Sequence, residues 1–84
     1  MFSIEFSSQS IHFLKRCDKQ LAERVITRIE KLRTDPFPSD VKRVVNRKEK
    51  IFRIRIGDYR IQYSVFYERN SILISDIDKR PRAY

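Results

Sequence analysis

The sequence predicts an α+β fold: an N-terminal strand and an antiparallel helix pair covering one face of a mainly antiparallel sheet. Three observations predict it. Leu21, Ala22, Val25, Ile26, Ile29 and Leu32 recur at helical spacing. In the second half, Phe52, Ile54 and Ile56 alternate with Arg53 and Arg55, then Tyr59, Ile61 and Tyr63 alternate with Arg60 and Gln62. A strand, two helices and then a run of strands is an α+β order.

Each element has its own signal. Phe2, Ile4 and Phe6 alternate with Ser3 and Glu5, which reads as a first strand. Ser7 or Ser8 can cap a helix carrying Ile11, Phe13, Leu14 and Cys17, and Asp18 can cap the second. Asp35-Pro36-Phe37-Pro38 stops that helix, because a residue before proline is driven out of the helical region. The helix pair should span about residues 8–34. Residues 41–45 read as a short strand, and Gly57-Asp58 as a two-residue turn between the two alternating strands. The second of these should run to about Tyr67, and Glu68-Arg69-Asn70 should turn the chain into a last strand over residues 71–77. With 84 residues, no linker and no repeat, residues 1–84 form one domain.

Composition limits the function. One cysteine, Cys17, excludes an internal disulfide framework and any multi-cysteine zinc site. The opening MFSIEFSSQS has neither a basic start nor a long apolar run, so no signal peptide is expected. Nothing approaches the roughly 18 apolar residues of a membrane span, and a cytoplasmic protein with no membrane partner is expected. Nineteen Lys and Arg against eleven Asp and Glu give a net charge of +8. The excess is concentrated in residues 42–60, which hold Lys42, Arg43, Arg47, Lys48, Lys50, Arg53, Arg55 and Arg60 against Glu49 and Asp58. Lys79, Arg80 and Arg82 follow near the C-terminus. Such a patch is the electrostatic footprint of a polyanion, either nucleic acid or an acidic protein.

The hairpin sharpens this. A two-residue loop places Arg55 directly opposite Arg60, and like charges across a ladder destabilise the pair. With Phe52, Ile54, Ile56, Ile61 and Tyr63 turned to the helices, Arg53, Arg55 and Arg60 share the open face. An anion bound there explains the arrangement better than solubility does. The remaining candidates read as structural. His12, the only histidine, is expected on the apolar face of the first helix, and Cys17 between the helices. Asp76 and Asp78 are expected to bridge the hairpin arginines rather than bind a metal. Gly57, the only glycine, excludes a phosphate-cradling glycine loop.

The element order, the Arg-Ile-Arg-Ile-Gly-Asp-Tyr-Arg-Ile run at residues 53–61, and the closing Lys79-Arg80 followed by Tyr84 resemble the RelE/ParE superfamily of toxins from toxin–antitoxin modules. The resemblance spans nearly the whole chain. It implies a type II toxin acting as a ribosome-dependent endoribonuclease (an mRNA interferase) that cuts mRNA in the A site with no metal or cofactor. It also implies an acidic RelB-like antitoxin partner, disordered when free. Residue by residue, the family's basic pair before the turn falls on Arg53 and Arg55, and its arginine after the turn on Arg60. The arginine ending the last strand falls on Arg80, with Arg82 a second match, and the terminal tyrosine on Tyr84. Lys42, Arg43, Arg47, Lys48, Lys50, Lys79 and Arg82 would hold RNA backbone. Well-known bacterial members carry lysines where Arg53 and Arg55 stand. Arginine, with a pKa above about 12, does not readily accept a proton, which leaves Tyr84 to move one or to stack on a base. The rivals are a ParE-like gyrase inhibitor, which cleaves nothing, and a non-catalytic RNA-binding module. The five-residue coincidence favours the RelE side.

Overall fold

A computed structural model describes residues 1–44 and 50–79 of the chain. Two side-chain caps organise its N-terminal third. After β1 (Ser3–Phe6), the Ser7 hydroxyl accepts the Ser10 amide at 3.1 Å and starts α1 (Ser8–Arg16). Asp18 accepts the Leu21 amide at 2.8 Å and starts α2 (Lys19–Glu30). Caps of this kind each contribute about 1 kcal/mol. α2 tightens into a 3-10 turn, Lys31–Arg33, ahead of the two prolines.

The remainder is β2 (Lys42–Arg43), β3 (Phe52–Ile56), β4 (Tyr59–Phe66) and β5 (Ser71–Lys79). Strand order is β1-β5-β4-β3-β2, with β1 parallel to β5 and the other pairs antiparallel. Gly57, at φ 56°, supplies the left-handed residue of the hairpin turn. A 3-10 turn, Tyr67–Arg69, and Asn70 at φ 51° link β4 to β5. β2 is shorter than expected within the described residues, although the Val44 amide still donates to the Ile51 carbonyl at 2.8 Å. β5 runs two residues further than expected.

Both helices lie on one face of the sheet. Leu21, Val25, Ile29 and Leu32 meet Ile54, Ile61, Tyr63, Ile72, Ile74 and Ile77 in a single core. The inward side of α1 is Ser10, Phe13, Leu14 and, at its C-terminal cap, Cys17. His12 is exposed, contrary to expectation. In this nine-residue helix it sits about 100° from Phe13, outside the narrow stripe that touches β5. Burial pushes the Cys17 thiol above its usual pKa, as befits a packed cysteine.

A bulge in β5 decides what faces outward. Gln62 pairs with Asp76, but its neighbour Tyr63 pairs with Ile74, leaving Ser75 as the extra residue. Ile72 and Ile74 therefore share the core face with Ile77, while Asp76 and Asp78 turn to the open face. Hydroxyls hold the bulge: Ser75 donates to the Gln62 carbonyl at 3.2 Å, and Ser7 donates to the Ser75 carbonyl at 2.9 Å. Buried Ser10 donates to the Ile74 carbonyl at 2.9 Å, tying α1 to the same spot.

Tyr63 also anchors the loop that leads to β2. Its side chain is fully buried, and its hydroxyl donates to the Pro36 carbonyl at 2.6 Å. Burial raises the phenol's pKa well above normal, so it remains a neutral donor. Tyr63→Phe should cost about 1 kcal/mol in denaturant unfolding, the usual net value of one hydrogen bond. Amide exchange in residues 35–41 should rise with it; unchanged exchange would mean that the loop is held by other contacts.

Candidate nucleic-acid interface

Strand register builds the site in two cross-strand rows on the open face. Lys42 lies opposite Arg53, Arg53 opposite Gln62, and Gln62 opposite Asp76. In the second row Arg55 lies opposite Arg60, and Arg60 opposite Asp78. Cations thus gather on β2, β3 and the start of β4, and carboxylates on β5. Arg55 is exposed, while Arg53 and Arg60 are half-buried. Arg55 and Arg60 are register partners across the ladder, as expected.

Asp78 eases that repulsion from one side. Arg60 Nε donates to Asp78 Oδ1 and Nη2 to Oδ2, both at 3.3 Å, as expected for a bridge from β5 to the hairpin. Arg53 carries an unmet requirement, since its buried Nε has no hydrogen-bond partner among the described residues. Buried donors of this sort are costly unless something else satisfies them.

A depression of about 220 Å³ opens beside Arg53, lined by Asp40, Lys42, Arg53 and Arg55. Asp40 does not neutralise those cations. Both its oxygens accept from Arg28 Nη2 of α2, at 2.6 and 2.5 Å. That guanidinium holds the Asp40 carboxyl below the usual carboxylate range. Sequence reasoning missed this pair, because a helix residue and a loop residue twelve positions apart carry no joint signal.

The fold brings together Lys42, Arg53, Arg55 and Arg60. Arg43 and Lys79 pair with Phe52 and Tyr59, which places both on the helix-side parity and away from the cluster. Lys50 is exposed just before β3. Arg47, Lys48, Arg80, Arg82 and Tyr84, all expected site residues, lie outside the described residues. Among the described residues no group of His, Cys, Asp and Glu could hold a metal ion, and no helix is long and apolar enough to cross a membrane.

The family model for the ParE toxin of the type II toxin–antitoxin system parDE matches residues 4–84. The chain belongs to the RelE/ParE superfamily of type II toxins. A Methanocaldococcus jannaschii protein named as a RelE1 toxin is 33% identical to this toxin over 86 residues, covering 99% of it and 94% of the relative. The archaeal RelE–RelB complex from Pyrococcus horikoshii OT3 contains a chain that superposes with a TM-score of 0.83 at 27% identity, covering 98% of each. The isolated E. coli RelE toxin superposes at 0.84 over 99% of this toxin and 88% of that chain. At 14% identity this is a likeness of fold. The expected architecture, two helices on a mainly antiparallel sheet, is that of these relatives.

Proposed function

We propose that this toxin is a RelE-like, ribosome-dependent, metal-independent endoribonuclease that cuts mRNA in the A site, in the cytoplasm. The observation that carries the reading is the open-face cluster of Arg53, Arg55 and Arg60 with Lys42, gathered where like charges oppose one another.

The chemistry asks for such a cluster. The ribose 2′-hydroxyl attacks the adjacent phosphorus, the bond from phosphorus to the 5′-oxygen breaks, and a 2′,3′-cyclic phosphate and a 5′-hydroxyl result. Negative charge builds on the phosphoryl oxygens in the transition state. Guanidinium forks match those oxygens bidentately, and preorganised donors there supply a large share of catalysis. In this reading Arg53, Arg55, Arg60 and Arg80 clamp the phosphate. Tyr84 moves a proton or stacks on the base. Lys42, Arg47, Lys48, Lys50 and Arg82 hold flanking RNA backbone, a sequence-independent and salt-sensitive contribution. No cofactor is called for.

The partner in this reading is an acidic RelB-like antitoxin. Solved relatives from Pyrococcus horikoshii and Methanococcus jannaschii are RelE–RelB complexes. A toxin of charge +8 would be steered toward an acidic, coupled-folding chain. The match to a ParE family model favours a second reading, gyrase inhibition without cleavage.

Primer extension on ribosome-bound mRNA separates the two. Cuts at A-site codons that appear only with ribosomes are expected, and DNA supercoiling by gyrase should be unaffected. Uncut mRNA together with lost supercoiling would transfer the assignment to gyrase. Absence of both effects, with no growth arrest at high expression, would leave an RNA-binding module.

A further inference from the structure

Asp78 takes no part in the chemistry above, yet it holds the one arginine that the strand register centres in its row. We propose that Asp78 is a positioning residue that sets the Arg60 guanidinium for phosphate capture, an inference that rests on the RelE-like reading of this site.

Three features support it. The first is the shape of the contact. Arg60 meets Asp78 through Nε and Nη2, each 3.3 Å from a different carboxylate oxygen, so the plane of the guanidinium is fixed as well as its location. This side-on chelate leaves the edge between Nη1 and the second Nη2 hydrogen, which is the fork that suits two phosphoryl oxygens.

The second is the neighbour on the other side. Arg55 lies directly opposite Arg60 across the ladder. Alone, the two guanidiniums would splay apart to reduce repulsion. A carboxylate on the flanking strand draws Arg60 into one orientation while Arg55 remains exposed.

The third is the support beneath Asp78. It reaches the open face only because of the β5 bulge, and Ser75 and Ser7 hydroxyls hold that bulge in place. Bulges often re-aim a side chain beside an active site. The ion pair itself adds little to stability, since the side chains of Arg60 and Asp78 are 22% and 41% exposed. Its contribution is orientation.

Asp78→Asn tests this, with Glu68→Gln as a control that removes the same charge in the exposed β4–β5 turn. On saturating ribosomes, Asp78→Asn should slow single-turnover cleavage on the order of 10-fold, within the roughly 10²-fold that a 1 Å misplacement can cost. The half-saturating ribosome concentration should stay level or fall, because a negative charge has left the face. Melting temperature should hardly move, and Glu68→Gln should cleave like the parent. Wild-type cleavage by Asp78→Asn, or a defect confined to ribosome affinity, would overturn the proposal.

Side-chain NMR of Arg60 supplies a readout that does not depend on cleavage. Restricted rotation in the parent protein should give separate Hη signals that merge in Asp78→Asn, and titrated inorganic phosphate should shift Arg60 Nε–Hε less in the variant. If mRNA is left uncut by the parent but these signals behave as described, the ribonuclease reading fails and the positioning of Arg60 stands. Arg60 signals already averaged in the parent, or equal phosphate shifts in both proteins, would refute the positioning whatever the ribosomes show.

Discussion

Arg60→Ala should lower cleavage of A-site mRNA by at least about 10²-fold, the scale for losing one preorganised oxyanion donor. The fold should survive the change. Arg60 projects from the face opposite the core, and the Asp78 carboxylate left behind is 41% exposed and can be solvated. Arg55→Ala should cost less than Arg60→Ala, because Arg55 is exposed whereas Arg60 is half-buried. Arg60→Lys should recover little, since an ammonium is a point charge and cannot both chelate Asp78 and present a planar fork. Single-turnover primer extension at saturating ribosomes is the measurement. Full activity in Arg60→Ala would end the RelE-like mechanism. Growth arrest that persists with no cleavage, alongside lost gyrase supercoiling, would support the ParE-like reading.

Most of this fold was legible because its signals are local. Ser7 and Asp18 cap the helices as their positions suggest, and the alternation around Gly57-Asp58 fixes the hairpin register residue for residue. The parallel pairing of β1 with β5 was not legible. It joins Ser3–Phe6 to strand residues 68 positions later, and no periodicity encodes so distant a partner. The bulge left a trace that is easy to misread. Ile72 and Ile74 fall on even numbers and Ile77 on an odd one, so a regular strand cannot bury all three. His12 was misplaced because a short helix gives the 3.6-residue period too few turns to locate the buried stripe.

Of the site, Arg53, Arg55 and Arg60 were legible from alternation alone. The cross-strand place of Lys42, the Arg28–Asp40 pair and the burial of Arg53 Nε depend on tertiary structure. The expectation of an acidic bridge to the hairpin is met by Arg60 and Asp78. Its geometry, two contacts from one guanidinium edge, depends on a bulge that composition does not reveal.

Ile61→Ala should destabilise the toxin by about 2–5 kcal/mol, the range for truncating a fully buried isoleucine. Ile61 is fully buried on β4, between Ile54 of β3 and Ile77 of β5, which are themselves 0% and 3% exposed. Its cross-strand neighbours are themselves core residues, which favours the upper half of that range. Against a typical domain stability of about 5–15 kcal/mol, such a loss is large. For a domain of this size it corresponds to a fall in melting temperature of roughly 4–8 °C per kcal/mol. Ile61→Val should cost only about 0.5–1.5 kcal/mol. Thermal and urea unfolding followed by circular dichroism measure both. Arg60 and Ile61 are consecutive residues on opposite faces of β4, so the two variants separate stability from chemistry. Ile61→Val should fold and cleave like the parent, whereas Ile61→Ala should lose activity only in step with its unfolded fraction. If Ile61→Ala instead stays folded and stops cleaving, the core beneath β4 governs the arginine face directly, and the two faces are not separable.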